Sequence, residues 1–261
     1  MMNIQTLDFN DFTIDYCKFG YGDKIFVILP GISIKSVMLS ASAIEKDYSS
    51  LAEDFTTYVI ERRNNPDKNT TINSMTEDTI KVLDKLQLRD IYLFGASQGG
   101  MLAMQIALNR PELIKKMVLG STSAKIENNM ILDRWVDLAK KKDREALFLD
   151  FGKCIYPEDF FTKNQRAFKI LSKTVNDKEL ERFVYIADAT RDYNILGEVK
   201  NIKCPTLAIG AKDDAVLGGY ATEDIAKAMG CELYMYDEGF GHAVFDMAPD
   251  YKQRIIEFFN K

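Results

Sequence analysis

Hydrophobic and polar positions along this chain switch repeatedly between the two-residue period of strands and the longer period of helices. Residues 5–9 and 12–19 alternate between apolar and polar side chains, which predicts two short strands. The turn residues at 20–23 predict a hairpin between strands, and an unbroken apolar run follows within residues 24–29. A run of that kind is typical of a strand that is covered on both faces.

From residue 38 onward, predicted helices and strands alternate. Helices are predicted at residues 38–52, 74–86 and 99–110, and strands at residues 57–60, 91–94 and 116–119. The second of these helices should begin in a capping box, Ser74 to Glu77. Nearer the C-terminus the order is strand 206–209, helix 221–229, strand 232–236 and helix 251–259. Such alternation implies a parallel sheet with helices on both of its faces.

The segment of residues 125–200 departs from this alternation. It holds helix-like stretches, among them residues 130–140, with many charged and aromatic side chains and no convincing strand. We therefore predict an α/β core of residues 1–124 and 201–261, and an inserted helical cap of residues 125–200. Most aromatic side chains of the insert should pack its helices together, while a minority line an apolar pocket. These aromatic residues are Trp135, Phe148, Phe151, Tyr156, Phe160, Phe161, Phe168, Phe183 and Tyr185.

Composition narrows the classes of partner. The 34 basic and 39 acidic residues give a net charge of −5, which argues against a nucleic-acid partner. The sequence predicts neither a membrane span nor a secretory signal, and we expect a cytoplasmic protein. The four cysteines are scattered and the chain has one histidine, so we expect free thiols and no metal or other cofactor.

A candidate nucleophile lies in residues 95–99, which match the pattern G-x-S-x-G around Ser97. That pattern is common by chance, and an ordinary glycine-rich turn would also satisfy it. The context favours a nucleophile elbow, because a predicted strand ends at Phe94 and a predicted helix starts at Gly99. The turn would present the Ser97 hydroxyl at the carboxyl end of the sheet, with the backbone N–H of Gln98 facing a developing oxyanion.

Ser97 needs a general base, and His242 is the one imidazole that the chain offers. It lies in a loop between the last predicted strand and the last predicted helix. Loops that follow the strands of a parallel sheet lie at the same edge of the sheet, so His242 and Ser97 are expected to be near each other. Either Asp213 or Asp214, which follow another strand, could orient the imidazole. A second oxyanion donor is expected from the backbone N–H of Ile32, after the strand that ends at Leu29.

Taken together, these motifs resemble the α/β-hydrolase superfamily, in its lidded, single-domain serine hydrolase and esterase branch. The resemblance covers nearly the whole chain and is strongest at residues 94–111, 205–213 and 241–249. It implies a mostly parallel eight-stranded sheet with helices on both faces and a helical lid. In the family the acid commonly stands three residues after a strand-ending glycine, and counting from Gly210 favours Asp213 over Asp214.

The chain departs from the family pattern at two loops. Pro30-Gly31 stands where relatives often have His-Gly, which should leave the backbone oxyanion donor in place. Residues 62–66, Arg-Arg-Asn-Asn-Pro, stand where relatives often have Arg-Gly-x-Gly.

The function that follows is hydrolysis of a small acyl-containing substrate, a carboxylic ester, thioester or lactone, through an acyl-enzyme on Ser97, by a monomer or homodimer. Three uses of the same triad compete with it: acyl transfer, cleavage of a carbon–carbon bond, and aminopeptidase activity. A non-catalytic binding protein of the same fold is a further alternative. A matched nucleophile, base and acid argue against that last reading, because a pure binder has no need of them.

Overall fold

The computed structural model describes residues 4–261, and an eight-stranded sheet lies at its centre. The strands are β1 (Ile4–Phe9), β2 (Phe12–Phe19), β3 (Lys24–Leu29), β4 (Phe55–Arg63), β5 (Ile91–Ala96), β6 (Ile114–Gly120), β7 (Thr206–Ala211) and β8 (Glu232–Tyr236). Their order across the sheet is β1-β2-β4-β3-β5-β6-β7-β8. The pairs β1–β2 and β2–β4 are antiparallel, and every other neighbouring pair is parallel. The prediction of a mostly parallel eight-stranded sheet is confirmed.

Helices cover both faces of this sheet, as predicted. The helices are α1 (Ala41–Asp47), α2 (Ile72–Lys85), α3 (Gln98–Asn109), α4 (Met130–Lys140), α5 (Arg144–Ile155), α6 (Glu158–Ser172), α7 (Asp177–Asp188), α8 (Tyr220–Met229), α9 (Val244–Met247) and α10 (Tyr251–Asn260). Short 3₁₀ turns occur at Val37–Ser40, Ser49–Leu51, Pro111–Leu113 and Val199–Asn201. Helices α2, α3 and α8 bury apolar side chains against one face of the sheet, and α1, α9 and α10 against the other.

The predicted hairpin at residues 20–23 is wrong. Strand β4 lies between β2 and β3, so the turn joins two strands that are not neighbours. Gly20 and Gly22 instead pack against the backbone that leads into β4, where a Cβ on Gly20 would lie 2.2 Å from the Phe55 carbonyl oxygen. The physical reason is that β3 is apolar on both faces and is buried between the parallel strands β4 and β5.

Two predicted helix boundaries also change. The helix expected at residues 38–52 is divided into α1 and the two 3₁₀ turns that flank it. Helix α2 begins at Ile72, because the capping box forms between Thr71 and Ser74 rather than from Ser74 to Glu77. The Ser74 amide donates to the Thr71 hydroxyl at 3.1 Å, and the Thr71 amide donates to the Ser74 hydroxyl at 2.9 Å.

Between β6 and β7 the chain forms the four helices α4 to α7, which we call the insert. An antiparallel bridge between Lys125 and Asn194 lies at its base. The insert has its own hydrophobic cluster, in which Trp135, Leu147 and Phe183 are buried. Across residues 4–261, no helix is both long and apolar enough to cross a bilayer.

Candidate active site

Ser97 occupies a sharp turn between β5 and α3. Its backbone has φ 51° and ψ −123°, a conformation that costs energy for a residue with a side chain. Hydrogen bonds hold it there: the Ser97 amide donates to the Gly120 carbonyl at 2.8 Å. The Ser97 carbonyl accepts from the Gly100 amide at 2.9 Å and from the Thr122 hydroxyl at 2.6 Å. The neighbouring strand β6 thus helps to fix the turn at Ser97.

The glycines of the motif are required by close backbone approach. A Cβ on Gly99 would lie 1.9 Å from the carbonyl oxygen of Leu29, and one on Gly95 would lie 2.5 Å from that of Gly99. A Cβ on Gly31 would lie 3.1 Å from the Cβ of Ser97. The first turn of α3 therefore packs directly on the end of β3, which brings the loop after Leu29 beside Ser97.

His242 joins Ser97 to a buried carboxylate. Its Nε2 lies 3.0 Å from the Ser97 Oγ, and its Nδ1 lies 2.8 Å from the Oδ2 of Asp214. An ionised carboxylate only accepts hydrogen bonds, so Nδ1 carries the proton and Nε2 of the neutral ring accepts from the Ser97 hydroxyl. The His242 and Asp214 side chains are both buried, whereas Ser97 is half-buried.

The preferred assignment of Asp213 as the partner of His242 is wrong, and the alternative, Asp214, takes that position. The Asp213 carboxylate instead accepts from the amides of Gly239, at 2.8 Å, and Gly241, at 3.1 Å. Asp213 therefore braces the loop that carries His242. Counting residues from Gly210 does not fix which side chain points inward, because neighbouring residues in a loop point in different directions.

The electrostatic surroundings of Asp214 favour its ionised form. Burial on its own would raise the pKa of the Asp214 carboxyl. The adjacent His242 imidazole and hydrogen bonds from the Val216 and Leu217 amides outweigh burial and hold that pKa below its usual value. Those amides donate to the Asp214 Oδ1 at 2.9 and 3.0 Å, which leaves Oδ2 for His242.

Both predicted oxyanion donors lie at the cavity that contains Ser97 and His242. Ile32 and Gln98 line this cavity together with Gly31. Gln98 is the first residue of α3, so its backbone N–H has no acceptor within the helix. Ile32, in the loop after β3, and Gln98, after β5, therefore border the same cavity as Ser97.

The cavity lies between the core and the insert, and its walls are mainly apolar. Trp135 and Phe151 are the two aromatic side chains of the insert that line it. Other aromatics pack within the insert: Phe148 and Phe183 belong to its buried cluster, and Tyr156 stacks on Phe160 with ring centroids 4.7 Å apart. The predicted division of the aromatics between packing and pocket agrees with this arrangement.

Three polar residues that flank the helices of the insert, Asn128, Asn129 and Thr190, also line the cavity. The Thr190 hydroxyl accepts a hydrogen bond from the Gln98 side chain at 2.8 Å. The Asn129 Oδ1 is buried and has no hydrogen-bond partner, although its Nδ2 lies 3.4 Å from the Arg191 carbonyl oxygen. Asn129 was not predicted from the sequence, because an asparagine directly before a helix is typical of an ordinary cap.

Sequence reasoning also passed over a buried charged group at the end of β4. Glu61 and Arg62 are 3% and 4% exposed, although they are charged. Arg182 of α7 lies 3.1 Å from Glu61. A signal was present, since three consecutive charged residues close a strand that is otherwise apolar and central. Buried charges need partners, so such a run predicts a polar network rather than a solvated loop.

Within residues 4–261, no three histidine, cysteine, aspartate or glutamate side chains come together in a way that could hold a metal ion. The four cysteines are free thiols.

Comparison with known proteins places the fold. A family model described as the alpha/beta hydrolase fold matches residues 26–147. An alpha/beta hydrolase enzyme, MGS-M2, from a Medee basin deep-sea metagenome library superimposes with a TM-score of 0.88 at 21% identity, over 98% of each chain. The chain therefore has the α/β-hydrolase fold.

Other α/β-hydrolases illustrate the range of its relatives. The enol-lactonase from Burkholderia xenovorans superimposes with a TM-score of 0.85 at 17% identity, covering 98% of this chain and 100% of the lactonase. A putative carbamate hydrolase, RutD, from Rhizobium rhizogenes is 24% identical over 193 residues, 72% of this chain and 73% of the relative. The names of these relatives support a hydrolase.

Proposed function

We propose that this α/β-hydrolase cleaves a carboxylic ester, thioester or lactone through an acyl-enzyme on Ser97. The observation that carries the proposal is the unbroken chain from the Ser97 Oγ to His242 Nε2, at 3.0 Å, and from Nδ1 to Asp214, at 2.8 Å. Ser97 lies at a mainly apolar cavity that Ile32 and Gln98 also line. A serine, a histidine and an acid so arranged form a general-base-activated nucleophile.

The proposed reaction has two halves. The Ser97 Oγ attacks the substrate carbonyl carbon while its proton passes to His242 Nε2. The oxyanion of the tetrahedral intermediate accepts hydrogen bonds from the N–H groups of Ile32 and Gln98. The imidazolium then returns the proton to the departing alkoxide or thiolate, and the C–O or C–S bond breaks. A water molecule repeats the sequence against the acyl-enzyme and releases the carboxylic acid and Ser97.

Asp214 acts on the ring rather than on the substrate. Its carboxylate holds the Nδ1–H tautomer and stabilises the imidazolium that forms when Ser97 loses its proton. The lowered pKa of Asp214 keeps that carboxylate ionised at neutral pH.

The lining of the cavity supports an uncharged acyl group. Apolar side chains from both units, such as Leu132 and Trp135 from the insert and Met101 from α3, face the space beside Ser97. The name of the structurally similar enol-lactonase agrees with a lactone or ester carbonyl as the group attacked. Binding of an apolar acyl chain would remove these side chains from water.

A second candidate, hydrolysis of a carbamate, is favoured by one observation. Asn129 lines the cavity and its buried Oδ1 is an acceptor without a donor, so a turn of this side chain toward the cavity would let a substrate N–H group satisfy it. The carbamate hydrolase name of the relative from Rhizobium rhizogenes fits this chemistry. The same Ser97 attack would then form a carbamoyl-enzyme.

A fluorophosphonate probe tests the nucleophile directly. We expect labelling of Ser97, no labelling of the Ser97→Ala variant, and a rate that falls by orders of magnitude in His242→Ala. Ser121→Ala is the matched control, because this buried hydroxyl follows β6 at φ 42° but has no hydrogen-bond partner. Labelling that persists in Ser97→Ala, or that is lost in Ser121→Ala alone, contradicts the assignment.

A substrate panel separates the two candidate functions. p-Nitrophenyl esters of increasing acyl length, simple lactones and p-nitrophenyl carbamates should be compared by kcat/KM. If the first candidate function is right, kcat/KM should be higher for esters or lactones than for carbamates. A carbamate preference that Asn129→Leu reverses would establish the second candidate instead.

A further inference from the structure

We propose that Arg62 is a positioning residue that ties together the two backbone segments carrying the oxyanion N–H groups. The inference rests on the proposed function, since it concerns the N–H groups of Ile32 and Gln98. It assigns a role to a buried guanidinium that does not line the cavity and is not part of the triad.

The contacts of Arg62 reach both segments from a single atom. Its Nη2 donates to the Pro30 carbonyl at 2.5 Å and to the Gln98 Oε1 at 3.2 Å. Pro30 lies two residues before Ile32, and Gln98 itself supplies the second N–H. One guanidinium nitrogen therefore bridges the loop after β3 and the elbow after β5.

The Gln98 side chain extends this link to the insert. Its Nε2 donates to the Ile186 carbonyl and to the Thr190 hydroxyl, both at 2.8 Å. Ile186 lies in the last turn of α7, and Thr190 lines the substrate cavity. With Arg62 bound to Oε1, the Gln98 side chain is held by three partners, and the insert is connected to the oxyanion segment.

The other two guanidinium nitrogens of Arg62 carry a desolvation cost that packing alone does not explain. Nε and Nη1 are buried without hydrogen-bond partners. Glu61 does not satisfy them, because its carboxylate is used by the Arg62 and Val37 amides, the Ser36 hydroxyl and Arg182. An apolar side chain of similar length would fill the same space without that desolvation penalty.

The charge of the guanidinium persists at neutral pH. Burial is the largest influence on the pKa of Arg62 and lowers it to about 10. The nearby charge of Arg182 also lowers this pKa, whereas the carboxylate of Glu61 raises it. The hydrogen bonds to Pro30 and Gln98 are therefore charge-assisted, which makes them stronger than bonds between neutral groups.

Loss of this bridge should affect the transition state more than the bound substrate. The Pro30 carbonyl would lose its donor and the loop could rotate, moving the Ile32 N–H away from the oxyanion. A displacement of about 1 Å costs on the order of 10²-fold in rate. The oxyanion exists only during reaction, so the loss should appear in kcat rather than in KM.

The test compares Arg62→Met with Arg63→Met. Arg63 is the next residue of β4, where side chains alternate between faces, and its guanidinium pairs with the buried Asp78 at 2.6 and 2.7 Å. We expect kcat for p-nitrophenyl acetate to fall by about 10- to 100-fold in Arg62→Met, with KM changed by less than about 3-fold. The fluorophosphonate labelling rate should fall in parallel, whereas Arg63→Met should lower thermal stability and keep kcat.

Two further measurements separate positioning from folding. Arg62→Lys should recover part of kcat, because an ammonium can reach one of the two acceptors, and added guanidinium ion should partly rescue Arg62→Ala. If Arg62→Met does not fold, Gln98→Met breaks the bridge at its other end, since it removes Oε1 while keeping the Gln98 backbone N–H. It also removes the bonds to Ile186 and Thr190, so Thr190→Val, which loses only one of these, is its control.

The outcomes distinguish this inference from the proposed function. A wild-type protein that is not labelled at Ser97 refutes the proposed function, and the inference with it. Wild-type labelling at Ser97 together with a wild-type kcat in Arg62→Met overturns the inference alone. A loss of kcat that matches the loss of folded protein, and equals the loss in Arg63→Met, also overturns it.

Discussion

Two adjacent aspartates have different tasks at the site. Asp214 is hydrogen-bonded to the His242 ring, whereas Asp213 accepts hydrogen bonds from the amides of Gly239 and Gly241, which precede His242 in the same loop. In the proposed mechanism, Asp214 sets the tautomer of the imidazole, whereas Asp213 holds the loop that carries His242. A single residue of displacement along the sequence separates the two roles.

The corresponding prediction concerns their asparagine variants. Asp214→Asn should reduce kcat on the order of 10⁴-fold, because an amide donor at this position favours the wrong imidazole tautomer. Asp213→Asn should lose far less, since its remaining carbonyl can still accept from one glycine amide. Steady-state kinetics on a p-nitrophenyl ester would measure both. Equal losses in the two variants would contradict the division of roles.

Gly99 provides a second prediction at this scale. In Gly99→Ala the added methyl group would lie 1.9 Å from the Leu29 carbonyl oxygen, so α3 must move away from β3. We expect loss of fluorophosphonate labelling together with a lower melting temperature. Gly197→Ala is the control, because a Cβ there meets nothing within 4 Å and should leave both measurements unchanged. Normal labelling of Gly99→Ala would show that the elbow does not need this close contact.

At the scale of elements, α7 is fastened to the end of β4. Arg182 lies 3.1 Å from Glu61, both side chains being largely buried, and α7 also contacts Gln98 through the Ile186 carbonyl. Lys35 adds a more exposed ion pair with Glu179 at 3.4 Å. The insert is thus held to the core next to the nucleophile elbow.

Glu61→Gln tests this connection. Breaking a buried ion pair by removing one partner costs about 3–5 kcal/mol of unfolding free energy. Burial alone would raise the pKa of Glu61, but the charges of Arg182 and Arg62 and two backbone hydrogen bonds lower it below its usual value. The carboxylate therefore stabilises the fold above the unfolded-state pKa of about 4.3. That stabilisation is lost as pH falls through the lower folded-state pKa.

Because the folded-state pKa of Glu61 is lowered, the stabilisation by its carboxylate should depend on pH. The difference in unfolding free energy between wild type and Glu61→Gln, from urea titrations, should be largest near neutral pH and should shrink in acid. Asp137→Asn is the control, because its pair with Lys141 on α4 is exposed and should contribute less than about 1 kcal/mol. A difference that stays constant down to acidic pH would show that the charge of Glu61 is not the stabilising feature.

At the scale of the whole molecule, the cavity exists only because two units meet. The core supplies Ser97, His242, Ile32 and Gln98, and the core and the insert each supply about half of the apolar wall. Substrate preference should therefore depend on the insert, whereas the chemical step depends on the core.

Leu132→Trp tests that separation. The larger side chain on α4 should fill part of the cavity. The ratio of kcat/KM for the hexanoyl p-nitrophenyl ester to that for the acetyl ester should then fall by about tenfold or more. This estimate follows because each methylene bound in an apolar pocket contributes about 1–3 kcal/mol. Asp137→Trp places the same bulk on the exposed side of α4 and should leave the ratio unchanged. An unchanged ratio in Leu132→Trp would mean that the acyl group binds elsewhere.

Local pattern was sufficient for much of this protein. Ser97 between a strand and a helix and the apolar runs of β3, β5 and β7 predicted the parallel sheet and the sharp turn at Ser97, because period and turn chemistry act over a few residues. The insert was visible as a break in that alternation. These features depend on sequence neighbours, so the sequence by itself determined them.

Only the tertiary structure decided the rest. The place of β4 between β2 and β3, the choice of Asp214 over Asp213 and the bridge from Arg62 to Pro30 and Gln98 each depend on residues far apart in the chain. No local period encodes which strand inserts between two others or which way a loop carboxylate points. Such contacts are fixed by packing and by the need to pair buried charges, and both become defined only when distant segments meet.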